Sequence, residues 1–264
     1  MKSSMIALTF SAFTFTGLAL AAGGAQAQSV AALLDGNRIA VVDIKAAKVG
    51  TPMTVAGEGR LVGIDVRPAD GRLYGLFEDG TVVTIDTASG KAMKKSTLGT
   101  MLPAGSMATV DFNPVADRLR VMGSDGTNLR ANVDDGKVIT DGALKYAEGD
   151  MHKGKASKIV AGAYTNSMKG AKETALYDID AAAGTLVKQA PPNDGVLNSV
   201  GKLGVSGDAY AFDIVTTEGG AHEGWLMAGD TLYSVDLATG KATAVGKIAG
   251  VTGKVHDIAI LPAM

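Results

Sequence analysis

The chain has 264 residues, a formal net charge of −2 and no cysteine. That balance provides no basic field for nucleic acid and no polybasic patch for a membrane surface. The missing thiols exclude cysteine nucleophiles, cysteine-held metals and disulfide staples, so stability has to come from a packed core, which a chain this long can build.

The first element is a leader. Met1-Lys2 precedes an apolar run from Met5 to Ala22 and then Ala25-Gln26-Ala27. A positive start, a hydrophobic centre and a small-x-small site are the layout of a secretory signal peptide rather than a membrane anchor. Cleavage is expected after Ala27, dividing the chain into a leader, 1–27, and a single domain, 28–264, that is periplasmic or secreted. No later apolar run approaches spanning length, so the mature form is expected to have no membrane span.

The mature chain then reads as short strands punctuated by Gly, Asp and Pro, with no sustained helical stripe. It opens with a stretch, 29–56, that contains Ile39-Ala40-Val41-Val42-Asp43 and has Gly50 beyond it. Four units follow, over roughly 61–100, 107–145, 158–203 and 208–250. Their opening strands carry Ile64-Asp65-Val66-Arg67-Pro68, Val110-Asp111-Phe112-Asn113-Pro114, Gly162-Ala163-Tyr164-Thr165-Asn166 and Phe212-Asp213-Ile214-Val215. Later in each unit an apolar strand ends in Asp86, Asn132, Asp180 or Asp236, with Gly four residues on. An Asx side chain bonds the N–H groups of such a turn, and Gly supplies its left-handed residue. The final strand, 255–262, contains His256-Asp257-Ile258-Ala259.

The Asx positions, starting from Asp43, are spaced by 43, 46, 48 and 56 residues. The opening-strand series is spaced by 46, 52, 50 and 44. A period near 47 with several short strands per unit indicates propeller blades rather than a helical solenoid. The expected fold is therefore an all-β, five-bladed β-propeller, with four and six blades as the neighbouring counts. The fifth blade has to be composite: its N-terminal strands lack an inner strand, and the C-terminal strand lacks partners. Joining them closes the ring and removes the sheet edges.

Several longer motifs carry a family resemblance: Leu61-Val62-Gly63-Ile64-Asp65-Val66-Arg67-Pro68, Asp111-Phe112-Asn113-Pro114 with Asp117-Arg118-Leu119-Arg120-Val121, Ala163-Tyr164-Thr165-Asn166, and Pro191-Pro192-Asn193-Asp194-Gly195-Val196-Leu197-Asn198-Ser199-Val200-Gly201. Together they resemble the bacterial exported family called domain of unknown function 4394. The resemblance implies an exported propeller-like domain without an assigned activity, and it supplies no catalytic residue.

The feature most suggestive of chemistry is the series Asp65, Asp111, Asp213 and Asp257, interrupted by Ala163. Opening strands surround a propeller's channel, and alternation places Arg67, Asn113 and Thr165 on the acids' face. These seven residues form the candidate ligand ring, and the four acids form the candidate metal set, with calcium as the fitting cation. The competing account makes the acids structural, each bonding backbone N–H groups of the neighbouring blade. No cofactor is required, and no catalytic residue is assigned.

Other motifs carry less. Glu148, Asp150 and His152 could gather a metal or lie in a solvated loop; His222 reads as a hairpin tip and His256 as a partly buried packing residue. Tyr177-Asp178-Ile179-Asp180 lacks the later ligands of a calcium loop and reads as turn chemistry. Trp225 reads as core, and Lys91 to Lys95 as a charge-guarded edge strand. No nucleophile elbow or triad spacing is present. The functional expectation is a non-catalytic binding module for a small molecule or a protein. The alternative is a calcium-dependent hydrolase of lactonase type at the channel mouth.

Overall fold

The structure is a computed structural model describing residues 29–217 and 219–262. The leader and its cleavage point lie outside the described residues. Five small sheets, antiparallel except for one short strand, form a ring of blades. Blade I runs outward through Leu61–Val66, Leu73–Phe77, Thr81–Ile85 and Ala92–Thr97. Blade II comprises Ala108–Asn113, Arg118–Gly123, Asn128–Ala131 and Val138–Thr140. Blade III comprises Ile159–Tyr164, Leu176–Asp180, Thr185–Gln189 and Val196–Lys202. Blade IV comprises Ala211–Thr216, His222–Ala228, Thr231–Val235 and Ala242–Lys247.

Blade V is stitched from both ends of the chain. The C-terminal strand Val255–Ile260 is its inner strand and pairs with Ser29–Leu34, which pairs with Arg38–Asp43. The expected closure is therefore present, and the five inner strands neighbour one another all the way round. Blade limits agree with the period, with one exception. Lys145–Tyr146, expected at the end of blade II, pairs in parallel with Val196 and Leu197 as a fifth strand of blade III.

The Asx turns behave as their chemistry requires. Asp86 accepts from the N–H groups of Ala88 and Ser89, Asp180 from Ala182 and Ala183, and Asp236 from Ala238 and Thr239. The glycines closing these turns are left-handed, Gly90 at φ 72° and Gly240 at φ 76°. The degenerate copy differs from the sequence reading. Asp43 still caps its turn through Ala46 N–H, but Ala47, not Gly50, takes the left-handed place at φ 49°.

Each seam between blades encloses its own apolar cluster. The V–I seam holds Leu33, Leu61, Ile64, Phe77 and Ile85; the III–IV seam holds Ala163, Ile179, Phe212 and Ile214. The II–III seam has the smallest cluster, built on Met122, Tyr146, Tyr164, Leu176, Val187 and Leu197. No helix among the described residues is long and apolar enough to cross a membrane.

Candidate functional site

An inner strand is a sheet edge, and the N–H groups it turns toward the channel need acceptors. The ring acids provide them. Asp65 Oδ2 accepts from Phe112 N–H at 2.6 Å, carrying blade I to blade II. Asp111 Oδ1 accepts from Tyr164 N–H at 2.9 Å, carrying blade II to blade III. Asp213 Oδ2 accepts from Ile260 N–H at 2.6 Å, and Asp257 Oδ2 from Ile64 N–H at 2.9 Å. Asp65, Asp213 and Asp257 also accept from the N–H of the following residue.

These latches fix the register. The partners of Asp65, Asp111 and Asp213 each lie one residue beyond the position equivalent to Asp65, which makes Ala259 the blade V equivalent. Asp257 lies two residues earlier, one step along the channel. The sequence alignment of Asp257 with the other three acids was thus one dipeptide out. Asp65, Asp111 and Asp213 bring carboxylate oxygens within 4.8 Å of one another, and Asp257 is outside that group. Ala163 leaves the III–IV joint without a carboxylate latch, and Asn166 N–H bonds Thr216 Oγ1 there instead.

Burial at the channel centre penalises charge. Asp213 is pushed up to about 6. Burial first, and the neighbouring carboxylates second, hold Asp65 and Asp111 well above the ordinary carboxylate range. Asp257 is raised by burial and, more weakly, by Asp213. Three close acids with all-oxygen chemistry suit a hard cation such as calcium, although most of their oxygens already hold the backbone.

The remaining ring candidates do not join the acids. Arg67 forms a clamp between blades, with Nε and Nη2 on Asp117, Nη1 and Nη2 on Asp134, and a 3.3 Å bond to Tyr74. Asn113 caps its own turn through Val115 and Ala116 N–H. Thr165 Oγ1 accepts from Ala175 N–H. All three sit where an inner strand turns into its hairpin; the turn claims the side chains of Asn113 and Thr165, and blade II claims that of Arg67.

The histidines are likewise engaged locally. His152 Nδ1 lies 3.0 Å from Ser199 Oγ, Asp150 accepts from Ser199, and Glu148 pairs with Lys153, so the three do not converge on a metal. His222 Nδ1 lies 3.0 Å from Thr216 Oγ1. His256 is exposed rather than packed and bonds Asp35 at 2.9 Å, on the face opposite Asp257. Trp225 packs against the IV–V cluster, and Ala92–Thr97 is an exposed outer strand, both as expected.

No motif in the sequence marks the groove between blades V and I. In blades I to IV a hairpin joins the inner strand to the second strand. In blade V that connection is absent, and the ends meet through Leu261 N–H donating to Ser29 O at 2.9 Å. Beside this joint a groove of about 1050 Å³ opens between blades V and I. Val41, Leu73, Ile85, Met93, Leu261 and Pro262 give it apolar walls, and Arg72 and Lys91 stand on its rim. Neither cation makes a salt bridge among the described residues. Small-molecule sites fall in the range of roughly 300–1,000 Å³, so the groove can hold a ligand.

A profile of the family described as Domain of unknown function (DUF4394) matches residues 38–259. No curated protein matches the chain. Among solved structures, a protein of unknown function from Bacteroides thetaiotaomicron superimposes with a TM-score of 0.55 at 17% identity, over 90% of this chain and 64% of that one. A protein of unknown function from Bacteroides caccae gives 0.46 at 15% identity, over 83% and 73%. An auxiliary nutrient binding protein from Bacteroides thetaiotaomicron gives 0.48 at 14%, over 83% and 56%.

Proposed function

The chain belongs to the domain of unknown function 4394 family, and from that premise we propose that it is a non-catalytic binding module whose ligand occupies the V–I groove. The observation that carries this reading is the groove itself: an apolar trough with Arg72 and Lys91 at its rim, outnumbering the one carboxylate that lines it, Asp86, which caps its own turn. Apolar walls remove a hydrocarbon body from water, and Arg72 and Lys91 select an anionic head. The ligand class is an amphiphilic carboxylate or a related anion.

Calorimetric titration with sodium dodecanoate and with dodecyltrimethylammonium tests it. The anion is expected to bind and the cation with the same tail to bind at least about tenfold more weakly, a difference near 1.4 kcal/mol. The double variant R72E/K91E should reverse that order. Failure of both amphiphiles to bind, or equal binding of the two, contradicts the reading.

A second reading rests on the close approach of Asp65, Asp111 and Asp213. Calcium at this level of the channel would neutralise mutually repelling buried carboxylates and tighten the ring. A gain in thermal stability on adding calcium, absent in D111A, would support it. A hydrolase role has no residue arrangement in its favour among the described residues. Export is proposed from residues 1–27 alone; intact mass of protein from its own host should show a chain beginning at Gln28.

A further inference from the structure

Four of the five buried side-chain atoms that lack a hydrogen-bond partner among the described residues lie in one seam, between blades II and III. They are Thr109 Oγ1, Asp178 Oδ1, Asp178 Oδ2 and Gln189 Oε1. All four are oxygens. Asp178 is fully buried. It occupies space that other blades fill differently: the inner-strand position equivalent to Gly162 is Ile64, Val110, Phe212 or Ile258, each facing an apolar residue or Gly75 on the second strand. In blade III, Gly162 faces Asp178. A Cβ at Gly162 would lie 2.3 Å from Asp178 Oδ1 and 3.2 Å from Met122 Cε, so the glycine makes room for the carboxylate.

The other orphan oxygens share this seam. Thr109 pairs across blade II with Met122, on the face turned to blade III. Thr109 precedes Asp111 by two residues, as Gly162 precedes Tyr164, and Asp111 bonds Tyr164 N–H. Thr109 therefore stands opposite Gly162. Gln189 lies one diagonal step from Asp178 on the same face, its Nε2 committed to Pro192 O at 2.6 Å. Arg120, the buried cation of the seam, spends its donors on Tyr164, Asn128, Asp141 and Asn193. It lowers the electrostatic cost of Asp178 without bonding it, while burial raises that acid well above its usual range.

Buried acceptors without donors are costly, and native proteins resolve them with a proton, a water or an ion. We propose that the II–III seam binds a monovalent hard cation, Asp178 supplying the charged ligand and Thr109 and Gln189 neutral oxygens. A single carboxylate with neutral oxygens matches one positive charge better than two. Such an ion would bridge blades II and III at the seam with the least apolar contact. The site is separate from the V–I groove and does not depend on its ligand.

The probe is rubidium, which scatters anomalously. Crystals of the mature chain grown in rubidium chloride should show an anomalous peak between Asp178 and Thr109. In solution, Tm at constant ionic strength should be higher by about 5 °C in sodium or rubidium chloride than in choline chloride. D178L and G162A should both remove that difference, the second while keeping the acid. D65N, away from this seam, should leave it intact. A Tm identical in all three salts together with no anomalous peak would overturn the proposal and leave a protonated Asp178 or an internal water. So would a difference that survives in D178L.

Discussion

Asp213 on blade IV accepts a 2.6 Å hydrogen bond from the N–H of Ile260 on the C-terminal strand, 47 residues further along the chain. The same carboxylate accepts from Ile214 N–H through its other oxygen. One side chain thus satisfies edge groups on two blades and holds the strand that closes the ring. Removing it leaves two backbone donors without their acceptor in the channel wall.

The substitution D213A is therefore expected to destabilise the protein by about 2–4 kcal/mol, taking about 1–3 kcal/mol for each donor left unpaired and allowing for partial hydration. Chemical denaturation should show the loss as a lower midpoint with an unchanged slope. A control at Ala163, the ring position without an acid, is A163S; it should cost less, because no latch is broken there.

The same carboxylates set a pH dependence. Asp213 is raised from 3.8 to about 6, and burial raises Asp65, Asp111 and Asp257 well above the ordinary carboxylate range too. A carboxyl with a raised native pKa binds more protons folded than unfolded, so its contribution is complete below the unfolded value and is lost as pH climbs through the native one. Stability should fall between pH 4.5 and 7.5 in buffer with a chelator, by about 1 kcal/mol or more. Below pH 4 the trend reverses, because Asp134, Asp150 and Asp141 are lowered by their hydrogen bonds and partners. Denaturation midpoints across this range check the sign. A midpoint rising steadily from pH 4.5 to 7.5 contradicts it.

The left-handed Ala47 offers a gain. A residue with a Cβ at φ 49° is strained by about 1–2 kcal/mol relative to its right-handed form, and glycine is not. Allowing for the backbone entropy of glycine, A47G should raise stability by about 0.5–1 kcal/mol. Thermal melts of the two proteins measure it directly.

Much of the architecture was legible because the repeat is written in local chemistry. Asp86, Asn132, Asp180 and Asp236 cap identical turns, and their spacing alone announces blades. The composite blade followed from counting, since the stretch before Leu61 lacked an inner strand and the stretch after Val255 lacked everything else. The candidate site was less legible. Asp257 was misaligned by two residues because its neighbours, Ile258 and Ala259, offer the same apolar alternation in either register. Arg67, Asn113 and Thr165 follow the alternation to the ends of the right strands, but Asn113 and Thr165 are taken by their own hairpins and Arg67 by Asp117 and Asp134 of blade II. The V–I groove had no signature, because it is made by an absent hairpin rather than by a motif. Asp178 could have been found: it is a carboxylate at a second-strand position where the other blades place Gly75, Val121, Leu226 and Ala32.

The ring is closed by a strand from each end of the chain. Deleting residues 255–264 removes the inner strand of blade V, the Asp257 latch to Ile64 and the Ile260 N–H that Asp213 accepts. Calorimetry of residues 28–264 with and without this segment is the most direct measurement. The truncated chain is expected to show no cooperative melt, or one at least about 15 °C lower, equivalent to a loss of roughly 4–7 kcal/mol. A truncated chain melting at the same temperature as the intact one would contradict the closure, and with it the groove that the closure creates.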